Sequence, residues 1–278
     1  MSAPLPRALV INVAGATARL DLMARQMDQL GLAWERVEAV TPETVSPPPD
    51  DPVWQRWQRP LRETEMAGLA SHLMAWRSVA EGTAPVLILE DDALLAVETA
   101  EHLSRWAGAG DMDHLSLETR GRLKTLGPAK GGRARLWQDR SGAAAYLLWP
   151  DGARRLIRAA TAAPGLADAI ICAAYDLRSF QAEPALAIQL DQCAAHGITP
   201  PFATASQIDA LAKPARGGLG VRARRAVAQL RMAGRQFRVM GGATRRLVPP
   251  SDGIAKMAVR VSHQTTGQGT GQGAETDV

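Results

Sequence analysis

The feature that most restricts the fold of this chain is a short apolar run that ends in three acids, Val86-Leu87-Ile88-Leu89-Glu90-Asp91-Asp92. Four consecutive aliphatic residues without alternation suit a strand covered on both faces, as in a parallel sheet. In sheets of that kind, ligands sit beyond the carboxyl ends of the strands. Three carboxylates at such an end repel one another unless a cation lies among them, and hard divalent cations take oxygen ligands. On an extended backbone Glu90 and Asp92 project to one side and Asp91 to the other. The stretch therefore predicts a metal or phosphosugar site, with a solvated turn after a strand as the plainer alternative.

The surrounding sequence repeats the strand–helix rhythm that such a sheet requires. Ala8 to Val13 reads as a first buried strand, Leu20, Met23, Met27 and Leu30 recur at helical spacing, and Trp34 to Val40 returns as a second strand. A strand–helix–strand unit predicts a right-handed crossover and parallel pairing. No GxGxxG follows the first strand, so a dinucleotide fingerprint is unsupported. Thr41 to Pro60 is a Pro-rich connection whose Trp54 and Trp57 are expected to pack over the core edge or to stack on a sugar or base. Thr64 to Glu81 is a helix with Met66, Leu69, Leu73, Trp76 and Ala80 as its buried stripe. Glu65, Gly68 and His72 lie beside that stripe. A small residue between an acid and a histidine leaves room for a ligand, and a surface ion pair explains the spacing equally well.

After the acids, Ala93 to Trp106 is expected to be helical, His114 to Glu118 a strand ending in an acid, and Gly121 to Arg133 a basic loop. That loop is either solvated or a lid offering cations to phosphates. Ala143 to Leu148 reads as a strand, Ala153 to Thr161 as a helix, and Asp168 as the N-cap of the next helix or as a functional acid. Glu183 to Gln189 is a last strand. Alternating strands and helices give an α/β sandwich. Cys172 and Cys193 form neither a metal-ligand pattern nor a disulfide framework.

The net charge of +4 conceals an asymmetry: twelve Lys and Arg against one acid give residues 213–260 a charge of +11 and leave −7 for the rest. Within that stretch Ala223, Ala226, Val227, Leu230, Ala233, Phe237 and Met240 share a helical face, with Arg222, Arg225, Arg235 and Arg238 off its centre. Such a helix suits the surface of an anionic membrane. Docking on the acidic main domain is the alternative, and nucleic acid is disfavoured because no accompanying motif is present. No basic n-region with an h-region opens the chain, and no apolar stretch approaches the ~20 residues of a membrane span. The expected setting is therefore cytoplasmic, with peripheral contact to the inner face of the cell membrane through the basic tail. The expected organisation is a catalytic domain over residues 1–205, a basic amphipathic extension over 206–262 and a disordered polar tail over 263–278.

Several stretches in order resemble one known family. They are Val10-Ile11-Asn12 with Arg19, Glu35-Arg36-Val37-Glu38-Ala39-Val40, Glu65 with Ser71-His72-Leu73-Met74-Ala75-Trp76, and the acidic run itself. Leu117-Glu118-Thr119, Ala144-Ala145-Tyr146-Leu147-Leu148 and Gly152-Ala153 continue the series. Together, over about residues 8 to 192, they resemble glycosyltransferase family 25, the bacterial lipopolysaccharide and lipooligosaccharide glycosyltransferases related to collagen galactosyltransferases. Thr41-Pro42, Arg62 and Trp149 depart from the family's pattern, without removing any of the acids.

The resemblance implies a GT-A-like fold, a UDP-sugar donor (usually UDP-galactose), a saccharide or lipid-linked saccharide acceptor, and inversion at the anomeric carbon. Mn²⁺ or Mg²⁺ is the metal so implied, with Glu90, Asp91 and Asp92 as its candidate ligands. Asn12 and Arg19 are expected at the nucleotide end, and Glu65 and His72 at the donor pocket or behind the acids. Inversion needs a base for the acceptor hydroxyl, with Asp168 the first candidate and Glu118 the second. His196 is a further candidate metal ligand. Two other functions stay open at this point: a metal-dependent phosphohydrolase, for which no DxDxT-like nucleophile is present, and a non-catalytic nucleotide-sugar-binding protein.

Overall fold

The computed structural model describes residues 4–140, 142–202 and 219–266. The first unit is β1 (Ala8–Asn12), α1 (Thr17–Leu30) and β2 (Trp34–Glu38), with β2 parallel to β1. Gly31 closes α1 at φ 63°, the left-handed conformation that glycine adopts without a Cβ penalty. A Pro-rich connection leads to α2 (Glu63–Glu81) and then to β3 (Val86–Glu90), parallel to β1 on its other side. Trp54 and Trp57 in that connection are buried, and Trp57 lies so close over Gly165 that a Cβ there would meet its ring at 2.4 Å.

Beyond β3 come β4 (Ala93–Leu95), α3 (Thr99–Trp106), β5 (His114–Ser116), β6 (Lys124–Lys130) and β7 (Arg133–Gln138). Then follow β8 (Ala145–Leu148), α4 (Pro150–Ala162), α5 (Ala167–Ala173), β9 (Ser179–Ala182) and β10 (Ala187–Gln189). The C-terminal part holds α6 (Leu219–Val239), β11 (Thr244–Arg246) and α7 (Gly253–Thr266). Nine strands form one mixed sheet in the order β11-β6-β7-β9-β5-β8-β3-β1-β2, and β10 pairs antiparallel with β4 in a separate ribbon.

Strand side chains alternate between two apolar layers. Val10, Leu87, Leu89 and Leu147 pack with Met23 and Met27 of α1, Leu103 of α3 and Met257 of α7. Leu9, Ile11, Ile88 and Tyr146 pack on the opposite side with Leu69 and Trp76 of α2, Leu156 of α4 and Ile170 of α5. The expected α/β sandwich is therefore the observed one.

Four expectations need correction. The segment from Ala93 begins as β4, not as helix, because its backbone is drawn into the ribbon with β10. The basic segment Gly121 to Arg133 is not a free loop: most of it is β6, which pairs with β7 and β11. The extension assigned to 206–262 is not separate throughout, since β11 joins the main sheet and Ile254, Met257 and Val261 of α7 lie in the main core. Asp168 is not an N-cap; Leu166 holds that position, and Asp168 sits in the first turn of α5. Residues 206–218 of the expected extension, and the expected tail beyond residue 266, lie outside the described residues.

Candidate active site

Glu90 ends β3, and Asp91 and Asp92 form the turn that follows, which sends the three acids to two sides. Asp91 turns inward, where the Asn12 side-chain amide donates to its Oδ2 at 2.7 Å and Arg19 Nη1 lies 3.1 Å from its Oδ1. Burial raises the Asp91 carboxyl above its ordinary range, against the opposing pull of Arg19 and Asn12. Asn12 also donates to the Ala16 carbonyl at 3.1 Å and accepts from Arg36 Nε at 3.0 Å, so its amide is fully occupied within the protein. These contacts tie the end of β1 to the turn after β3.

Glu90 and Asp92 face a common space on the other side. The Gln189 side-chain amide bridges them, donating to Glu90 Oε2 at 3.3 Å and to Asp92 Oδ2 at 3.1 Å. Gln189 reaches this place because β10 sets it opposite Ala93, and the Leu190 amide donates to the Asp92 carbonyl at 2.9 Å. Burial, followed by repulsion from Glu90, pushes the Asp92 carboxyl up to about 7. Two carboxylates that share one amide and repel each other suit a hard divalent cation.

Behind Glu90 stands a buried polar chain. Trp76 Nε1 donates to the Tyr146 hydroxyl at 2.7 Å, which lies 2.9 Å from His72 Nδ1, while His72 Nε2 lies 3.2 Å from Glu90 Oε1. The indole nitrogen can only donate. The hydroxyl proton is thereby directed to His72 Nδ1, leaving a proton on Nε2 to meet the Glu90 carboxylate; this tautomer is assigned from the network. Burial raises the Tyr146 phenol well above its usual range, so it stays a neutral relay.

The two acids expected as bases differ in environment. Glu118 is 1% exposed; its Oε2 accepts the Ala144 amide at 3.1 Å, and its Oε1 has no partner among the described residues. Burial pushes its carboxyl up to about 8, with Lys124 opposing. Gly142 makes the close approach possible, since a Cβ there would stand 2.5 Å from Glu118 Oε1. Asp168 is only partly buried, and its Oδ1 accepts from the Ala169 amide at 2.6 Å. Burial raises its carboxyl, with Glu90, Arg120 and His72 all near enough to act on it. Arg120 acts on Glu118 as well and makes a loose 3.8 Å pair with Asp191.

Glu65 is engaged elsewhere. Arg59 holds both its oxygens, at 2.7 and 2.9 Å, and its Oε2 accepts the Arg62 amide at 2.9 Å, which closes the first turn of α2. Burial alone would raise this carboxyl, but Arg59 and the Arg62 amide hold it below its usual range. The structure therefore brings Glu90, Asp92, His72 and Asp168 toward one region, uses Asp91, Asn12 and Arg19 as a brace beneath it, and places Glu65 in a helix start. Among the described residues no three His, Cys, Asp or Glu side chains come together as a metal-binding cluster, so His196 does not join Glu90 and Asp92. Sequence reasoning assigned no role to Gln189, Tyr146 or Arg120. Trp76 was read as core alone, although its place four residues after His72 puts both on one helix face.

No curated protein matches the chain. The family model described as glycosyltransferase family 25 (LPS biosynthesis protein) matches residues 6–171, more than half of the chain, including β1, α2, the acids of β3, Tyr146 and Asp168. The protein thus belongs to glycosyltransferase family 25 and is a glycosyltransferase.

Proposed function

We propose that the protein transfers a sugar, galactose in the first instance, from a UDP-sugar to a saccharide acceptor of lipopolysaccharide or a related surface glycan. The transfer inverts the anomeric centre and is assisted by Mn²⁺ or Mg²⁺ within a GT-A-like domain. The observation that carries this reading is the facing pair Glu90 and Asp92, bridged by Gln189, with Asp92 raised to about 7. Those two acids would hold the metal, which supplies positive charge against the departing diphosphate. Asp91 is not proposed as a ligand, because Arg19 and Asn12 already occupy it.

His72 orients the Glu90 carboxylate, and Tyr146 fixes the tautomer that does so. Asp168 takes the proton of the acceptor hydroxyl. Its half-buried carboxyl is raised by burial and keeps an oxygen for the acceptor, which suits a base better than the enclosed Glu118, whose carboxyl is pushed up to about 8. Arg120 offers a cation beside both acids for a phosphate or a charged acceptor. The acceptor is carried on lipid at the inner face of the cell membrane.

UDP release in the presence of Mn²⁺, measured for the protein and for Asp92→Asn and Asp168→Asn, tests this reading. Turnover is expected to fall at least 100-fold in both variants, with donor binding weakened only in the first. No turnover of any nucleotide sugar with any divalent ion would overturn it.

A further inference from the structure

Helix α6 is attached to the domain in an unusual sense. Its contacts to the body run through arginines: Arg224 donates to the Trp57 carbonyl at 3.0 Å and also to that of Gln55, while Arg235 donates to the carbonyls of Trp137 at 2.5 Å and Tyr175 at 2.8 Å. The Arg235 guanidinium also lies 4.5 Å from the centre of the Tyr175 ring. Of the less exposed positions on the helix, Val221, Ala228, Met232 and Val239 share the side that carries Arg235.

The apolar stripe points the other way. Val227 is 48% exposed, Leu230 72%, Phe237 74%, and Met240, directly after the helix, 71%. Arg231 and Arg238 run along one edge of this stripe and Arg222 along the other, all exposed, and no acid occurs between Leu219 and Met240. Leaving three large apolar side chains in water has a cost that folding does not recover, and a patch rimmed by like charges marks an interaction surface.

We propose that this face of α6 lies on an anionic phospholipid bilayer, with Leu230, Phe237 and Met240 entering the headgroup region and Arg222, Arg231 and Arg238 meeting lipid phosphates. The long arginine side chains reach outward from beside an apolar centre, which is the arrangement a helix lying in the interface needs. Charge decides against a second copy as the occupant. Two such helices face to face would bring Arg222, Arg231 and Arg238 of each copy, six arginines, together with no acid between them, whereas an anionic surface attracts every flanking arginine. The arginine anchors on the opposite side hold α6 to the domain, so the bilayer would grip the enzyme by a helix fixed to its body. The inference extends the membrane-side placement of the acceptor proposed above.

Vesicle co-sedimentation of the full chain, without donor or acceptor, tests it independently of turnover. Vesicles of phosphatidylcholine alone are compared with vesicles containing phosphatidylglycerol. The protein is expected to bind the second and not the first, with binding that weakens as salt rises. Leu230→Glu/Phe237→Glu is expected to lower the apparent partition constant at least tenfold. Arg231→Gln/Arg238→Gln should also lower it more than tenfold, at about fivefold per basic residue. Both variants change exposed side chains and should keep the circular dichroism and UDP release of the parent. Absence of binding by the parent, equal binding to both vesicle types, or unchanged binding by both variants would overturn the proposal. So would a parent dimer in light scattering that Leu230→Glu/Phe237→Glu converts to monomer, which would assign the face to a second copy.

Discussion

The end of β3 and the outer face of α6 break the same rule in opposite directions. At the first, Glu90 and Asp92 face each other with no Lys or Arg partner among the described residues; at the second, large apolar side chains are left in water. Neither arrangement helps the chain fold. Elsewhere the rule is kept: Lys124 and Asp139 are both buried and pair at 2.7 Å, and Asp113, fully buried, is held by Arg178 at 2.8 Å. A chain that pairs its buried charges in one place and leaves them facing each other in another has a use for the second place.

The contrast between paired and unpaired buried charge can be broken directly. Lys124→Met removes the buried cation that pairs with Asp139 and is expected to cost about 3–5 kcal/mol of stability, read from denaturant unfolding. Asp92→Asn should do the reverse to the fold while disabling the enzyme. Transfer falls at least about 100-fold, or roughly 3 kcal/mol of barrier, yet the metal-free variant melts no lower than the parent because repulsion from Glu90 is relieved. A clear loss of melting temperature in Asp92→Asn would place that acid among the structural ones.

Glu118 tests the same idea through pH. Its carboxyl is raised from 4.5 to about 8 in the folded protein, so the folded state keeps a proton that the unfolded chain gives up. Its contribution is complete below about pH 4.5 and is lost as pH rises toward about 8, at up to about 1.4 kcal/mol per pH unit. Stability of Glu118→Gln, compared with the parent by urea titration across that window, should lack this part of the slope. A smaller effect is expected from Tyr146→Phe. It removes one buried hydroxyl, costs about 1–2 kcal/mol, and lowers turnover several-fold by freeing the His72 tautomer. The His72 ring-nitrogen shifts in an NMR spectrum report the tautomer itself. Smallest of all, Leu230→Glu should leave stability within about 0.5 kcal/mol, since its side chain is already in solvent.

Much of the frame was legible because it rests on local pattern. The helices α1 and α2 carry a clear period, and the strand that delivers Glu90 an unbroken apolar run; these elements and β1 and β2 lie close to where the pattern puts them. The split of the acids, with Glu90 and Asp92 on one side and Asp91 on the other, matches the alternation expected of an extended run, although Asp91 and Asp92 lie in the turn after β3. What escaped depends on long-range register. Gln189 bridges the acids only because β10 pairs with β4, and nothing in Ala187-Ile188-Gln189 announces that pairing. Ala93-Leu94-Leu95 is as compatible with helix as with strand until the partner is known. Lys124 to Lys130 looked like a loop because its Gly127-Pro128 and its lysines interrupt the alternation, while the burial of Lys124 against Asp139 is a tertiary fact. The period of α6 revealed an apolar face but not its direction, because the helix is held by arginines reaching main-chain carbonyls, which no hydropathy pattern records.

The bridge made by Gln189 has a temporal meaning as well as a spatial one. As the chain is synthesised, both acids emerge about a hundred residues ahead of the amide that spans them, and the matched segment, residues 6–171, is finished before that amide exists. The ribbon that carries Gln189 is in turn packed beneath α7, whose Met257 and Val261 emerge later still. The reactive end of the sheet is thus completed only after the chain through α7 has emerged, so a nascent chain that stops short of β10 carries the acids but not the assembled site.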